Sequence, residues 1–217
     1  MLPQEGFAIV PGPFVAGDLD KAVASYDSAV ATARSEDRKV GSTSVRVSGL
    51  LDRAPELALI LTCRPLLEAA ETLIGGPFRL SSFHSRSIRP GAATQALHQD
   101  VAPGHDGWPL LGFIFMVDAS TIENGATLFL PGSARLPMLA AQPDATDLAC
   151  ACGPSGALIL FDGSLWHGHG ANRTQRWRRS VQGALIPRAA TAAVDHRSYL
   201  RPEVWSSLPG DVRSMIE

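Results

Sequence analysis

From Phe78 to Pro187 the sequence breaks into short β-prone runs: FRLSSF, SRSIRP, TQALHQD, LGFIFMVDAS, ATLFLP, GALILF and RSVQGALIP. Gly, Pro, Asn and Asp divide them, and no helical segment lies between one run and the next. Parallel doubly wound sheets need a helix between successive strands, so this texture selects an antiparallel sandwich or a closed barrel instead. A jelly roll is the leading architecture.

The first third has a different rhythm. Gly6 to Val10 is a short apolar run ended by Pro11-Gly12-Pro13, which predicts a strand. After Gly17-Asp18, the residues Leu19, Val23, Tyr26 and Val30 recur at helical spacing. A second helical stretch is expected from about Pro55 to Ile74, stopped by Gly75-Gly76-Pro77. From His196 to Glu217 the chain predicts a loop and a short terminal helix, with Trp205 and Leu208 packing back on the core. Chains of this length commonly form one unit. The expected organisation is a single domain over 1–217, with a helical part over about 1–77, a sheet core over about 78–188 and a tail over about 189–217.

Composition narrows the partners. A net charge of −2 with scattered acids and bases offers no basic face for nucleic acid. The longest apolar stretches, such as Leu110 to Val117, are too short for a bilayer core of about 30 Å, so no membrane span is expected. The start, MLPQEGFAIVPGPF, lacks the basic, apolar and small-residue parts of a secretory signal, and a cytoplasmic location is the expectation. Cys63, Cys150 and Cys152 are odd in number and have no second pair for a zinc site, so they read as free thiols. Stability must then come from burying the 45% of residues that are apolar.

Chemistry concentrates in two places. In His98-Gln99-Asp100, at the end of a β-prone run, residues two apart on a strand would aim an imidazole and a carboxylate at one point. Two histidines with one carboxylate, leaving three metal positions open, is the arrangement of non-haem iron(II) oxygenases. A third ligand must come from elsewhere, and Trp166-His167-Gly168-His169-Gly170 supplies two candidates. Strand alternation puts His167 and His169 on one face, so pattern alone does not choose between them.

The run HGHGANRTQRWRRS, from His167 to Ser180, resembles the distal histidine and arginine segment of the phytanoyl-CoA dioxygenase family. Glu123 to Ser133 (ENGATLFLPGS) and the stretch LIGGPFRL are also similar to that family, so the likeness extends over most of the chain. It implies a mainly β fold with flanking helices, the double-stranded β-helix (jelly roll, cupin-like) barrel. It also implies an Fe(II)- and 2-oxoglutarate-dependent dioxygenase that uses O2 to hydroxylate an unactivated C–H bond of a small-molecule substrate, releasing succinate and CO2. By the same resemblance His98, Asp100 and His167 hold the metal, and Arg178 takes the distal carboxylate of 2-oxoglutarate. Alternation agrees on Arg178: with Ser180 and Gln182 it faces away from Val181 and Leu185, and a guanidinium can bind a carboxylate through two parallel hydrogen bonds.

Other residues carry weaker expectations. Gln95 and Thr127 occupy positions that often touch the oxoglutarate in similar enzymes, although ordinary strand hydrogen bonding accounts for them equally well. His169 suits a supporting or substrate contact. The segment APGHDGWP over 102–109 suits a pocket-shaping loop, with His105 and Trp108 able to meet substrate. His84, His105 and His196 are isolated and read as surface or hydrogen-bonded histidines. Gly168 and Gly170 read as close backbone packing rather than a phosphate loop. Two departures from the family pattern, Ala134 after Pro-Gly-Ser and Ala157 after Gly156, remove no ligand. Asp100 is present where related halogenases carry a small residue, which favours hydroxylation. The rival readings are a non-catalytic jelly-roll binding or accessory protein that retains the metal site, and a cupin-like enzyme without a co-substrate.

Overall fold

The computed structural model describes residues 2–101, 109–134, 136 and 143–217. The chain runs through β1 (Phe7–Pro11), α1 (Ala16–Ala31), β2 (Arg38–Val40), β3 (Ser44–Val47), α2 (Leu50–Arg53), a 3-10 stretch (Pro55–Thr62) and α3 (Arg64–Ile74). The strands β4 (Phe78–Ile88), β5 (Leu111–Met116), β6 (Thr127–Phe129), β7 (Ala149–Ala151), β8 (Ala157–Asp162), β9 (His167–His169) and β10 (Arg178–Pro187) follow. Three short helices close the chain: α4 (His196–Tyr199), α5 (Pro202–Ser207) and α6 (Gly210–Ile216).

Seven strands form a major sheet in the order β1-β8-β5-β10-β4-β3-β2, and three form a minor sheet in the order β7-β6-β9. Every strand pairing is antiparallel. The expected jelly roll is therefore present, as two facing open sheets; among the described residues no ladder closes them into a barrel.

Period-two alternation divides the major sheet's side chains between two environments. Leu111, Phe113 and Phe115 of β5, Leu158 and Leu160 of β8, and Val181 and Leu185 of β10 point one way, against Tyr26, Leu57, Leu61 and Leu66 of the N-terminal helical region. Leu200, Val204, Leu208 and Val212 of the tail join this core, and Trp205 packs at its edge. Ile114, Met116, Ile159 and Phe161 point the other way, towards Phe129 and Ala151 of the minor sheet. Each such aliphatic or aromatic side chain removed from water contributes about 1.5–3 kcal/mol, which is how the fold holds without a disulfide.

Two local readings needed correction. The helical stretch over 55–74 is broken at Cys63, whose backbone is extended. Pro65 in the first turn of α3 lacks the N–H that a continuous helix would require, so the chain restarts there. Gly75 ends α3 in the left-handed conformation as the sequence suggested. The hairpin β2–β3 was not anticipated, because its strands are short and polar. It extends the major sheet beside β4 and carries Arg46 directly opposite Arg86.

Candidate active site

The space between the sheets is where the polar residues of the inner face collect. β9 presents His167, and the segment before β5 brings His98 against it. These two residues exchange both backbone hydrogen bonds, each 2.9 Å long. Residues paired in this way project to the same face, and the two imidazole rings stand 4.5 Å apart between centroids. Gly168 permits the approach: a Cβ there would lie 3.0 Å from the Gln95 carbonyl oxygen and 3.3 Å from that of Ala96. The run TQALHQD is thus an irregular segment rather than a strand, tied to β9 by the His98 bridge and by Gln95 N–H donating to His169 O at 2.9 Å. Asp100 is turned inward by its own N–H donating to Gly163 O at 2.8 Å.

Asp100 Oδ1 lies 3.9 Å from His98 Nε2, and Asp100 Oδ2 lies 3.8 Å from His167 Nε2. One donor atom from each of the three residues falls within 4.8 Å of the other two. Two donors about 2.1 Å from a common ion stand between about 3 Å and about 4.2 Å apart, depending on the angle, so these carboxylate separations suit one shared cation. His167 Nδ1–H donates to Leu165 O at 2.8 Å, which turns the Nε2 lone pair towards Asp100. Burial pushes the pKa of His167 down and so favours the neutral imidazole that a metal requires.

His169 is resolved by the same criteria. Its Nδ1–H donates to Gly170 O at 2.8 Å, and its Nε2 accepts from the Thr43 hydroxyl at 3.0 Å. The ring is committed to the β2–β3 turn and lies outside the three-residue cluster.

Arg178, the first residue of β10, is only 2% exposed. Among the described residues it has no hydrogen bond or ion pair, and its Nε is buried without a partner. Burial lowers its pKa to about 10, partly offset by Asp118, Cys150 and Tyr26, so it remains a cation at neutral pH. A buried, unpaired guanidinium is costly unless an anion completes it. It lines a cavity of about 310 Å³ together with His98, Asp100, His167, Gln95 and Thr127. All six expected site residues therefore meet in one place. Gln95 Oε1 accepts from Arg86 Nη2 at 2.9 Å, and Thr127 pairs with His169 along β6 and β9.

The cavity also holds residues that sequence reasoning passed over. Arg46 and Arg86 lie on its wall, and so does His84, whose Nε2 is buried without a partner. The surface or hydrogen-bonded reading of His84 therefore fails. His84 and Arg86 are two apart on β4, a signal available in FHSRSI, whereas Arg46 sits in the hairpin that was not anticipated. His196 is also buried, 8% exposed, and its Nε2 has no partner among the described residues. His105 and Trp108 lie outside the described residues.

Comparison with known proteins gives this geometry a family. The fold matches that of HygX from Streptomyces hygroscopicus, solved with nickel, 2-oxoglutarate and hygromycin B, at a TM-score of 0.69 and 19% identity over 87% of this chain and 86% of that one. It equally matches the epimerase SnoN from nogalamycin biosynthesis, solved with Fe3+, alpha ketoglutarate and nogalamycin RO, at a TM-score of 0.69 and 19% identity over 95% and 87% of the two chains. By sequence, the chain is 36% identical to dioxygenase af480 of Aspergillus fumigatus over 122 residues, which are 53% of this chain and 39% of that protein. It is 33% identical to an uncharacterised protein of Mycobacterium tuberculosis over 75% of this chain and 59% of the other. The chain thus spans only 39% to 65% of the length of the first curated relatives it matches. The profile of the family described as Phytanoyl-CoA dioxygenase (PhyH) covers residues 2–180, and the chain belongs to that family.

Proposed function

We propose that this protein is an Fe(II)- and 2-oxoglutarate-dependent dioxygenase that hydroxylates an unactivated C–H bond of a small molecule. The observation that carries the reading is the coexistence, in one cavity, of a clustered His98, Asp100 and His167 with the unpaired, buried guanidinium of Arg178. In this reading the three clustered side chains hold Fe(II) from one side and leave the other side free for small molecules. Arg178 receives the distal carboxylate of 2-oxoglutarate through charge-assisted hydrogen bonds that lysine could not make in parallel. Fe(II) with 2-oxoglutarate, when bound, supplies the oxidising chemistry: O2 is consumed, the co-substrate leaves as succinate and CO2, and one oxygen atom enters the substrate C–H bond.

The protein's own contribution is placement. Leu165 O holds the His167 ring by its Nδ1–H, while Phe129 and Phe161 pack against the same ring at 5.8 and 4.8 Å. Gln95 and Thr127 line the wall where the co-substrate would lie between metal and arginine. The small-molecule class follows the neighbours, whose ligands are hygromycin B and nogalamycin RO. Free thiols at Cys63, Cys150 and Cys152 fit a reducing cytoplasm, and among the described residues no helix is long and apolar enough to cross a membrane.

Under anaerobic conditions with Fe(II) and 2-oxoglutarate, the protein should develop a weak visible charge-transfer band that His167→Ala lacks. A wild-type protein without the band at saturating co-substrate would sink the proposal. Oxoglutarate consumption in air separates the enzyme from a binding module that merely keeps the site.

A further inference from the structure

We infer that Arg46 and Arg86 form a second anion subsite, which binds a carboxylate, sulfate or phosphate group of the molecule being oxidised. The inference rests on the proposed function and names the substrate class that the same cavity selects.

The starting point is an arrangement that is unfavourable without a ligand. Arg46 on β3 and Arg86 on β4 are direct cross-strand partners, and like charges directly opposite repel. Both guanidiniums reach the cavity, because Val45 and Val47, on either side of Arg46, line the opposite face of the sheet beside Tyr26. Arg86 is 7% exposed, and its acceptors are neutral amides: Gln95 Oε1 at 2.9 Å and Gln182 Oε1 at 3.5 Å. Those contacts orient the side chain but carry no opposite charge, its Nε has no partner among the described residues, and the carboxylate that acts on it, Asp100, belongs to the three-residue cluster. Arg46 has no hydrogen bond or ion pair among the described residues. Burial, then Arg46 and Arg178, lowers the pKa of Arg86 to about 10 against an opposing effect of Asp100, so it is still charged at neutral pH.

Charge balance assigns the occupant. Among the described charged residues lining the cavity, Asp100 is the one carboxylate against Arg46, Arg86 and Arg178. A divalent ion with Asp100, plus the two carboxylates of 2-oxoglutarate with Arg178, sums to no net charge. Arg46 and Arg86 are left over, two positive charges in a part-buried site, and His84 beside them has no charge to offer in return. No further carboxylate among the described residues completes them, so the inferred partner is an anion from outside, and the co-substrate has no third carboxylate to give. The primary substrate is the remaining source.

The test uses the protein loaded with Ni(II) and saturating 2-oxoglutarate, titrated at constant ionic strength with benzoate, inorganic sulfate or inorganic phosphate while binding is followed by calorimetry. At least one of these anions should bind wild type, and the preferred one identifies the group. Arg46→Gln and Arg86→Met should each weaken that binding by about tenfold or more, the loss expected for a charge-assisted hydrogen bond. In Arg46→Gln, which touches no group assigned to the co-substrate, 2-oxoglutarate affinity should stay within about threefold of wild type, a readout that a merely structural role would not leave intact. Equal anion affinity in wild type and Arg46→Gln would overturn the subsite, and so would absence of binding by all three anions. Loss of 2-oxoglutarate affinity in Arg86→Met to the level of an Arg178 variant would assign Arg86 to the co-substrate and overturn the pair. If wild type took no 2-oxoglutarate, the proposed function would fail instead, and the same anion titrations without it would still decide the arginine pair.

Discussion

Arg178 and Arg179 are neighbours on β10 that face opposite sides of the major sheet. Arg179 turns towards α1, where its Nη2 meets Asp118 at 2.6 Å, its Nη1 meets Asp27, and its backbone N–H donates to Asp118 Oδ2 at 2.7 Å. Hydrogen bonds and charge from Asp118, then Asp27, outweigh burial and hold this guanidinium firmly protonated. Arg178 turns inward, is more deeply buried and meets no carboxylate among the described residues. On the helix side, then, charges are matched within the chain, as in the Arg53 and Asp37 pair, and the remaining space is filled with leucine, alanine and aromatic side chains. On the inner side Arg46, Arg86 and Arg178 share a cavity with a single carboxylate among the described residues. One face matches its charges internally, and the other holds guanidiniums that meet no carboxylate among the described residues.

Replacing each arginine of the pair in turn breaks this comparison most sharply. Arg178→Met should weaken 2-oxoglutarate binding by about thirtyfold or more, the effect of truncating one partner of a buried ion pair. The same variant, without ligands, should melt at or above the wild-type temperature, because methionine removes a buried charge that has no partner. A lower melting temperature with unaltered oxoglutarate affinity would reverse the assignment. Arg179→Met should do the opposite, destabilising the protein by about 1.5–3 kcal/mol in denaturant titrations and leaving oxoglutarate affinity near wild type.

Acid sensitivity gives the smaller and more selective contrast. Burial, reinforced by Arg46 and Arg86, lowers the pKa of His84 from 6.5 to about 3. Its protonation is thereby resisted in the folded state and permitted in the unfolded chain, so below pH 6.5 the unfolded state binds the extra proton. Stability tied to His84 is present above that pH and declines as pH falls towards about 3. His84→Gln should therefore lose about 2–2.5 kcal/mol less than wild type between pH 7 and pH 4.5 in matched urea titrations. Parallel losses in the two proteins would show that the positive wall does not act on this ring.

Much of the fold and of the candidate site was legible because it depends on local period and residue chemistry. Short β-prone runs without intervening helices dictated antiparallel sheets, and the alternation around Arg178 correctly put its side chain opposite Val181 and Leu185. The spacing of His98 and Asp100, together with a distal histidine, marked a set that could hold a metal, and these three side chains do cluster. Hydrogen bonds between distant residues were beyond that kind of reasoning. That His167 and not His169 clusters with His98 and Asp100 depends on Leu165 O, Gly170 O and the Thr43 hydroxyl, since both rings look alike to strand alternation. The break at Cys63 and the pairing of a polar hairpin with β4 were likewise set by packing that propensity does not describe.

By itself the sequence determined the sheet-rich fold, the ligand types and the inward-facing arginine, because each follows from side-chain chemistry and a period of two. Only the tertiary structure decided which charges find partners. Pairing depends on separation in space, and it is the strand order that sets Arg179 beside Asp118 and Asp27 while leaving Arg46, Arg86 and Arg178 facing a cavity.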